Sequence, residues 1–207
     1  MDFQRPVQAV VPGAQGRIFA VLAEATGELN LRTIARLADV SPAQTSRVLP
    51  EMVSLGMVER REAPPSALFR LVDDHVVSRL VRALSRTRQT VLEELGSRAA
   101  TLAPQPVSVI VFGSFARGEA DGDSDLDVVM VRPKGLGAED GPWAAAVDEW
   151  RLFARRLTGN RVEILEVDEG SIGRRLRSRE PVWADIARDG VVVHGRPLGD
   201  LEGRRSA

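Results

Sequence analysis

The chain has 207 residues, a formal net charge of −1 and a hydrophobic fraction of 43%, which is enough for one large domain or two small ones with packed cores. It contains no cysteine, so disulfides and thiolate metal sites are excluded. No apolar run approaches the ~20 residues that cross a bilayer, and the N-terminus lacks the basic-then-apolar order of a signal peptide. These features predict a cytoplasmic protein without a membrane segment.

The first part of the chain has the pattern of three short helices. Residues 16–25 place their apolar side chains on one helical face, and Asn30 suits the N-cap of a second helix over residues 31–40. The run SPAQ at residues 41–44 is a strong start for a third helix, because serine suits the N-cap and proline the first turn. Pro50 falls inside this third helix, so we expect the helix to be short or bent.

Two short strands, joined by the turn APPS, follow the third helix. Three helices and a hairpin in the order LRTIARLADVSPAQTSRVLPEMVSLGMVERR resemble a winged helix-turn-helix of the MarR and ArsR type, over about residues 15–72. In such modules the third helix enters the major groove and the wing contacts the backbone. The resemblance therefore implies duplex DNA as a partner, with contacts from Gln44, Thr45, Ser46 and Arg47 on the helix and from Arg60, Arg61 and Arg70 beside the wing. A purely protein-binding or dimerising role is the alternative.

Residues 73–103 are predicted to form one long connecting helix, because apolar residues recur there at three- and four-residue spacing. The stripe through Val77, Leu84 and Val91 packs either on the same chain or against a second copy. We favour a homodimer, since two symmetric DNA half-sites require two modules. The two prolines of APQP end the pattern and set the predicted domain bounds: residues 1–72, 73–103 and 104–207.

The run VFGSFARGEADGDSDLDVVMV, at residues 111–131, carries the pattern most suggestive of chemistry. A buried strand ends at Gly113 and Ser114, where glycine permits a tight turn and a close ligand approach. Asp125 and Asp127 stand at the start of the next strand and share a face, because they are two residues apart. Neighbouring carboxylates repel each other, and a hard cation such as Mg²⁺ removes that cost.

A further acid is predicted on a third strand over residues 161–167, where Glu163 interrupts an apolar run. The alternative for the two aspartates is that they only cap a turn in DGDSDLD. That alternative explains Asp121 and Asp123 well, but it explains Asp127, which lies inside an apolar run, badly.

A Gly-Ser turn, a loop with an arginine, Asp-x-Asp on a strand and a later acid together resemble the polymerase-β-type nucleotidyltransferase superfamily, and most closely its minimal nucleotidyltransferase group. The resemblance covers about residues 104–196. It implies an NTP substrate and two Mg²⁺ ions, with Gly113, Ser114 and Arg117 at the triphosphate and Asp125, Asp127 and Glu163 as metal ligands and catalytic acids. The third acid of the family is usually aspartate; glutamate is a methylene longer, which would displace the second ion.

The sequence thus predicts an α+β chain with a winged helix-turn-helix, a long connecting helix and an α/β nucleotidyltransferase domain built on a mixed sheet. The predicted activity is Mg²⁺-dependent transfer of a nucleoside monophosphate from an NTP to a hydroxyl. Two alternatives stay open: a transcription regulator whose nucleotidyltransferase-like domain senses a nucleotide, and an antitoxin that nucleotidylates a partner toxin. The fold does not determine the acceptor, for which a protein side chain, an RNA end and a small molecule are candidates.

Overall fold

The computed structural model describes residues 1–203. The chain forms two compact units, one of residues 4–87 with Asp2 and one from residue 88 onward with Met1 and Phe3. The predicted α+β layout is confirmed, with a helix-turn-helix region first and a sheet-containing domain second. Within the described part of the chain, every helix is too short or too polar to cross a membrane.

The N-terminal unit consists of helices and a small antiparallel sheet. Its elements in chain order are α1 (Pro6–Val10), α2 (Gly13–Glu24), β1 (Leu29–Asn30), α3 (Leu31–Leu37), α4 (Pro42–Ser54), β2 (Val58–Ala63), β3 (Ser66–Leu71) and α5 (Val76–Ser85). The strand order is β1-β3-β2, and the β2–β3 hairpin is the wing. The two predicted helix caps are present: Asn30 Oδ1 accepts from the Thr33 amide at 2.9 Å, and Ser41 Oγ accepts from the Gln44 amide at 3.2 Å.

The core of this unit lies between the helices and the wing, with fully buried side chains from α2, α3 and α4: Ile18, Leu22, Ile34, Leu49 and Met52. Helix α4 continues through Pro50 to Ser54, so the proline does not shorten it. Pro50 is exposed, and water can therefore satisfy the carbonyl that loses its helical partner.

The C-terminal unit is a mixed sheet covered by helices. Its elements are α6 (Thr87–Ala100), β4 (Ser108–Phe112), α7 (Gly113–Arg117), β5 (Leu126–Arg132), α8 (Gly141–Thr158), β6 (Val162–Asp168), α9 (Glu169–Leu176), α10 (Pro181–Asp189), β7 (Val191–Gly195) and α11 (Leu198–Leu201). The strand order is β6-β5-β4-β7. Strand β5 runs parallel to β6 and antiparallel to β4, so the prediction of a mixed sheet is confirmed.

Both faces of this sheet are buried, which explains the nearly continuous apolar run of β5. One face packs on α6 and α8 through the fully buried Trp143 and Trp150. The other face packs on α9 and α10 through Ile172, Trp183 and Ile186. An acidic side chain on β5 can therefore reach solvent only if its residue lies at an end of the strand.

The prediction of one long helix over residues 73–103 is wrong, because α5 and α6 are separate helices with a break at Arg86. The Arg86 backbone leaves the helical region at φ −98° and ψ 7°, and Thr87 Oγ1 donates to the Leu84 carbonyl at 2.6 Å. The residues of the apolar stripe are divided between two cores. Val77 and Leu84 pack against the N-terminal core, and Val91 packs in the C-terminal core. These three side chains consequently do not form the predicted dimer seam.

Candidate functional site

Three carboxylates meet where β5 and β6 begin. The two strands are parallel, and Asp127 lies directly opposite Glu163 in their register. Paired residues on neighbouring strands project from the same face of a sheet. Asp125, two residues before Asp127, projects from that face as well. The structure thus brings Glu163 of β6 beside the two aspartates that the sequence placed together on the preceding strand.

The charges of these acids act on one another. Burial of the Asp127 carboxyl, together with the negative charges of Asp125 and Glu163, raises the pKa of Asp127 above its ordinary value. The guanidinium of Arg117 acts in the opposite direction on the same pKa. Within residues 1–203, no cationic nitrogen lies within 4 Å of the Asp127 carboxylate. Asp127 is therefore a half-buried negative charge that a cation would stabilise.

The Gly113 turn lies against this acid. Phe112, the last residue of β4, pairs with Asp127 on β5, and Gly113 follows with a φ of +69°. A Cβ at Gly113 would come within 2.5 Å of Asp127 Oδ2, so only glycine fits here. The amides of Gly113 and Ser114 begin α7, and the first amides of a helix have no partner inside it. They are available to an anion beside the acids.

Two arginines lie near the acids. Arg117, predicted from the sequence, donates from Nε to Glu119 Oε2 at 2.7 Å and acts electrostatically on Asp127. Arg161, which the sequence reasoning missed, donates from Nε to Glu163 Oε1 at 2.6 Å and lies 3.9 Å from Asp125 Oδ1. Its position two residues before Glu163, and so on the same strand face, is the signal that could have identified it.

The oxygen donors of this site suit Mg²⁺, but not as a cage made by the protein alone. Among residues 1–203, no three His, Asp or Glu side chains are arranged to hold a metal ion by themselves. Mg²⁺ is commonly bound by one or two carboxylates together with the phosphates of a substrate. Asp125 and Asp127 fit that two-carboxylate mode, whereas Glu163 is engaged by Arg161.

On the recognition helix α4, three of the four predicted DNA contacts are exposed: Gln44, Ser46 and Arg47. The prediction for Thr45 is wrong. Thr45 is fully buried, and its Oγ1 donates to the Ser41 carbonyl at 3.0 Å. Its spacing of four and seven residues from the buried Leu49 and Met52 places it on the core face of the helix, out of reach of a base edge.

The predicted wing arginines are all paired with glutamates: Arg60 with Glu62 at 2.6 Å, Arg61 with Glu28 at 3.0 Å and Arg70 with Glu59 at 2.8 Å. The hydrogen bond from Arg61 lowers the pKa of Glu28, which keeps that carboxylate ionised. Ser46 of α4 and Arg60 of the wing line one open groove of about 930 Å³. One predicted residue of the helix and one of the wing thus share a groove, and the positive charge of the wing arginines is largely compensated by glutamates.

The chain joins a winged helix-turn-helix to a mixed-sheet domain in which a Gly-Ser turn lies beside paired aspartates. The family models agree: residues 89–173 match the nucleotidyltransferase domain, and residues 16–62 match the IclR helix-turn-helix domain. The first match contains all the predicted triphosphate and metal residues, and the second contains the predicted α4 contacts. The match is of the IclR type, and the MarR or ArsR type is not confirmed.

Two solved structures show weak likeness to the chain. A crystal structure of human N-acetylserotonin methyltransferase in complex with SAM aligns at 18% identity and a TM-score of 0.29, over 88% of this chain and 43% of that one. A structure of TrmBL2, an archaeal chromatin protein described with a novel mode of DNA binding, aligns at 16% identity and a TM-score of 0.30. The alignment covers 93% of this chain and 79% of that one. TM-scores this low establish no shared fold. No curated protein has significant sequence similarity to the chain.

Proposed function

We propose that the C-terminal unit is a Mg²⁺-dependent nucleotidyltransferase that moves a nucleoside monophosphate from an NTP to a hydroxyl acceptor. The observation that carries this proposal is the contact between the Gly113 turn and Asp127, with Asp125 and Glu163 beside it. A metal-bound triphosphate requires a turn that binds anions, in contact with a pair of carboxylates that binds cations.

In this proposal each group takes the role that the resemblance to polymerase-β-type nucleotidyltransferases implies for it. The amides of Gly113 and Ser114, with the serine hydroxyl, bind the β- and γ-phosphates, and Arg117 offsets their negative charge. Asp125 and Asp127 hold the metal. When bound there, Mg²⁺ supplies neutralisation of the triphosphate charge and activation of the attacking hydroxyl.

The transfer itself is an in-line displacement. The acceptor oxygen forms a bond to the α-phosphorus while the bond from that phosphorus to the pyrophosphate oxygen breaks. The hydroxyl proton passes to the Glu163 carboxylate, acting as general base. The Gly113 and Ser114 amides retain the leaving pyrophosphate until it dissociates.

Label transfer from α-³²P NTPs to the protein, RNA and small-molecule fractions of a cell lysate tests this activity. Asp127→Asn keeps the shape of the side chain but removes one charge from the metal site, and such a loss commonly costs on the order of 10²–10³ in rate. Asp123→Asn, an exposed acid of the same loop, is the matched control and should remain active. A wild-type protein that binds NTP but labels no acceptor, with or without Mg²⁺, would instead be a nucleotide sensor.

We also propose that the N-terminal unit binds duplex DNA through α4 and the wing. Gln44, Ser46 and Arg47 support this proposal because all three are exposed on α4, and Ser46 lines the groove between α4 and the wing. Fluorescence anisotropy against random and upstream promoter duplexes tests it, with an expected log–log salt slope of roughly −0.9 per phosphate neutralised. The absence of salt-dependent binding below ~100 µM, the weak end of the non-specific range, would exclude this role.

A further inference from the structure

We propose that Arg161 is an internal counter-ion that occupies Glu163 and thereby keeps the acidic cluster from binding a divalent cation until a nucleotide arrives. The proposal rests on the proposed function, because it concerns the same carboxylates. It assigns a role to a residue that the proposed transfer step does not use.

The geometry divides the cluster into an outer pair and an inner acid. Arg161 contacts Glu163 through Nε at 2.6 Å and Nη2 at 2.5 Å, and its Nε lies 3.9 Å from Asp125 Oδ1. The guanidinium therefore bridges the two outer carboxylates. Asp127, the inner acid, has no such cation within 4 Å among residues 1–203.

This arrangement opposes a bare metal ion in two ways. The guanidinium occupies one of the two oxygens, Oε1, through which Glu163 would serve as a third ligand, and its positive charge repels a second cation beside Asp125. Without Glu163, the remaining protein ligands are two carboxylates, which bind Mg²⁺ well only when phosphate oxygens complete the coordination.

The pair is also easy to displace. The side chain of Arg161 is 73% exposed and that of Glu163 is 52% exposed, and ion pairs as exposed as this contribute little net stability. A metal ion that is bound to an NTP arrives together with the triphosphate. The negative charge of the triphosphate then attracts the freed guanidinium. Glu163 is then released to receive the proton of the acceptor, so the general base becomes available only in the loaded site.

Titration of the full chain with Mn²⁺ alone, without nucleotide, tests the proposal through the electron paramagnetic resonance signal of the free ion. Arg161→Gln should tighten Mn²⁺ binding by about three- to tenfold, the range expected for removing one exposed ion pair and one like-charge repulsion. Arg161→Lys, which keeps the charge, should stay closer to the wild type. Arg161→Gln combined with Glu163→Gln should lose the gain, since the freed ligand is gone.

Arg151→Gln is the matched control, because Arg151 is a partly exposed arginine of this unit with its own acidic partner, Asp148. Equal tightening in Arg151→Gln, or none in Arg161→Gln, would overturn the proposal. A double variant that binds Mn²⁺ as tightly as Arg161→Gln would also overturn it, because Glu163 would then not be the group that Arg161 withholds. A wild type that transfers no label, together with tightening in Arg161→Gln, would refute the proposed activity but support the counter-ion.

Discussion

A Cβ on Gly113 would lie 2.5 Å from Oδ2 of Asp127, so the turn after β4 and the acid on β5 are built against each other. The pairing of Phe112 with Asp127 across the two strands fixes this contact. A side chain added to the turn at Gly113 should therefore displace the Asp127 carboxylate.

Gly113→Ala should abolish the site without unfolding the domain. A side chain at φ +69° costs about 1–2 kcal/mol, and the added methyl must push the Asp127 carboxylate away. We expect nucleotide affinity in the presence of Mg²⁺ to fall at least about tenfold, the equivalent of 1.4 kcal/mol, by isothermal titration calorimetry. Gly122→Ala is the control, since a Cβ there meets no described atom within 4 Å. Full nucleotide binding by Gly113→Ala would show that the contact is not needed.

Features that depend on neighbouring residues could be predicted from the sequence. The caps at Asn30 and Ser41 form because a short polar side chain reaches amides two or three residues ahead. The strand β5 was recognisable because burial on both faces requires a nearly continuous apolar run. Asp125 and Asp127 were assigned to a common face by the two-residue period alone.

Features that depend on tertiary packing could not be predicted in this way. The apolar spacing continues through Arg86, yet the helix breaks there because its two halves belong to different cores. Thr45 is an exception, because its spacing of four and seven residues from Leu49 and Met52 is a local signal for the burial that the structure shows. The pairing of Asp127 with Glu163 depends on which strand lies beside β5, and nothing in the local pattern specifies that neighbour.

Asp127→Asn should stabilise the C-terminal unit at neutral pH in EDTA. Since the folded-state pKa of Asp127 is raised, the native state binds more protons than the unfolded state between the ordinary pKa and the raised one. Stability is therefore lost as the pH rises through the folded pKa. Calorimetry at pH 7 should therefore show a higher unfolding midpoint for Asp127→Asn than for the wild type.

The pH dependence of that gain distinguishes charge from shape. The gain should shrink below about pH 4, the ordinary range of an aspartate, where Asp127 is protonated in both states. Asp123→Asn should leave the midpoint unchanged, because Asp123 is exposed. A gain that grows as the pH falls would contradict the electrostatic explanation.

The homodimer remains a prediction. Because Val77 and Leu84 pack against the N-terminal core, we expect the dimer interface on another face of α5. Val76 and Leu80 lie one turn apart on that helix and are 59% and 60% exposed. Leu80→Glu should convert a dimer to a monomer in light scattering at tens of micromolar. Leu152→Glu, a leucine of the other unit that is 62% exposed, should leave the assembly unchanged. A monomeric wild type, or a Leu80→Glu variant that stays dimeric, would count against this seam.

Glu28→Gln should strengthen DNA binding, because the Arg61 guanidinium then loses the carboxylate that compensates it. A freed arginine that reaches one more phosphate should steepen the log–log salt slope by about 0.9, measured by anisotropy on a random duplex. Glu24→Gln makes the same change of charge at an exposed position of α2 and should leave the slope unaltered. Adding Arg61→Ala to Glu28→Gln should return the slope to the wild-type value. Equal effects of Glu28→Gln and Glu24→Gln would mean that net charge alone, and not the wing arginine, governs the affinity.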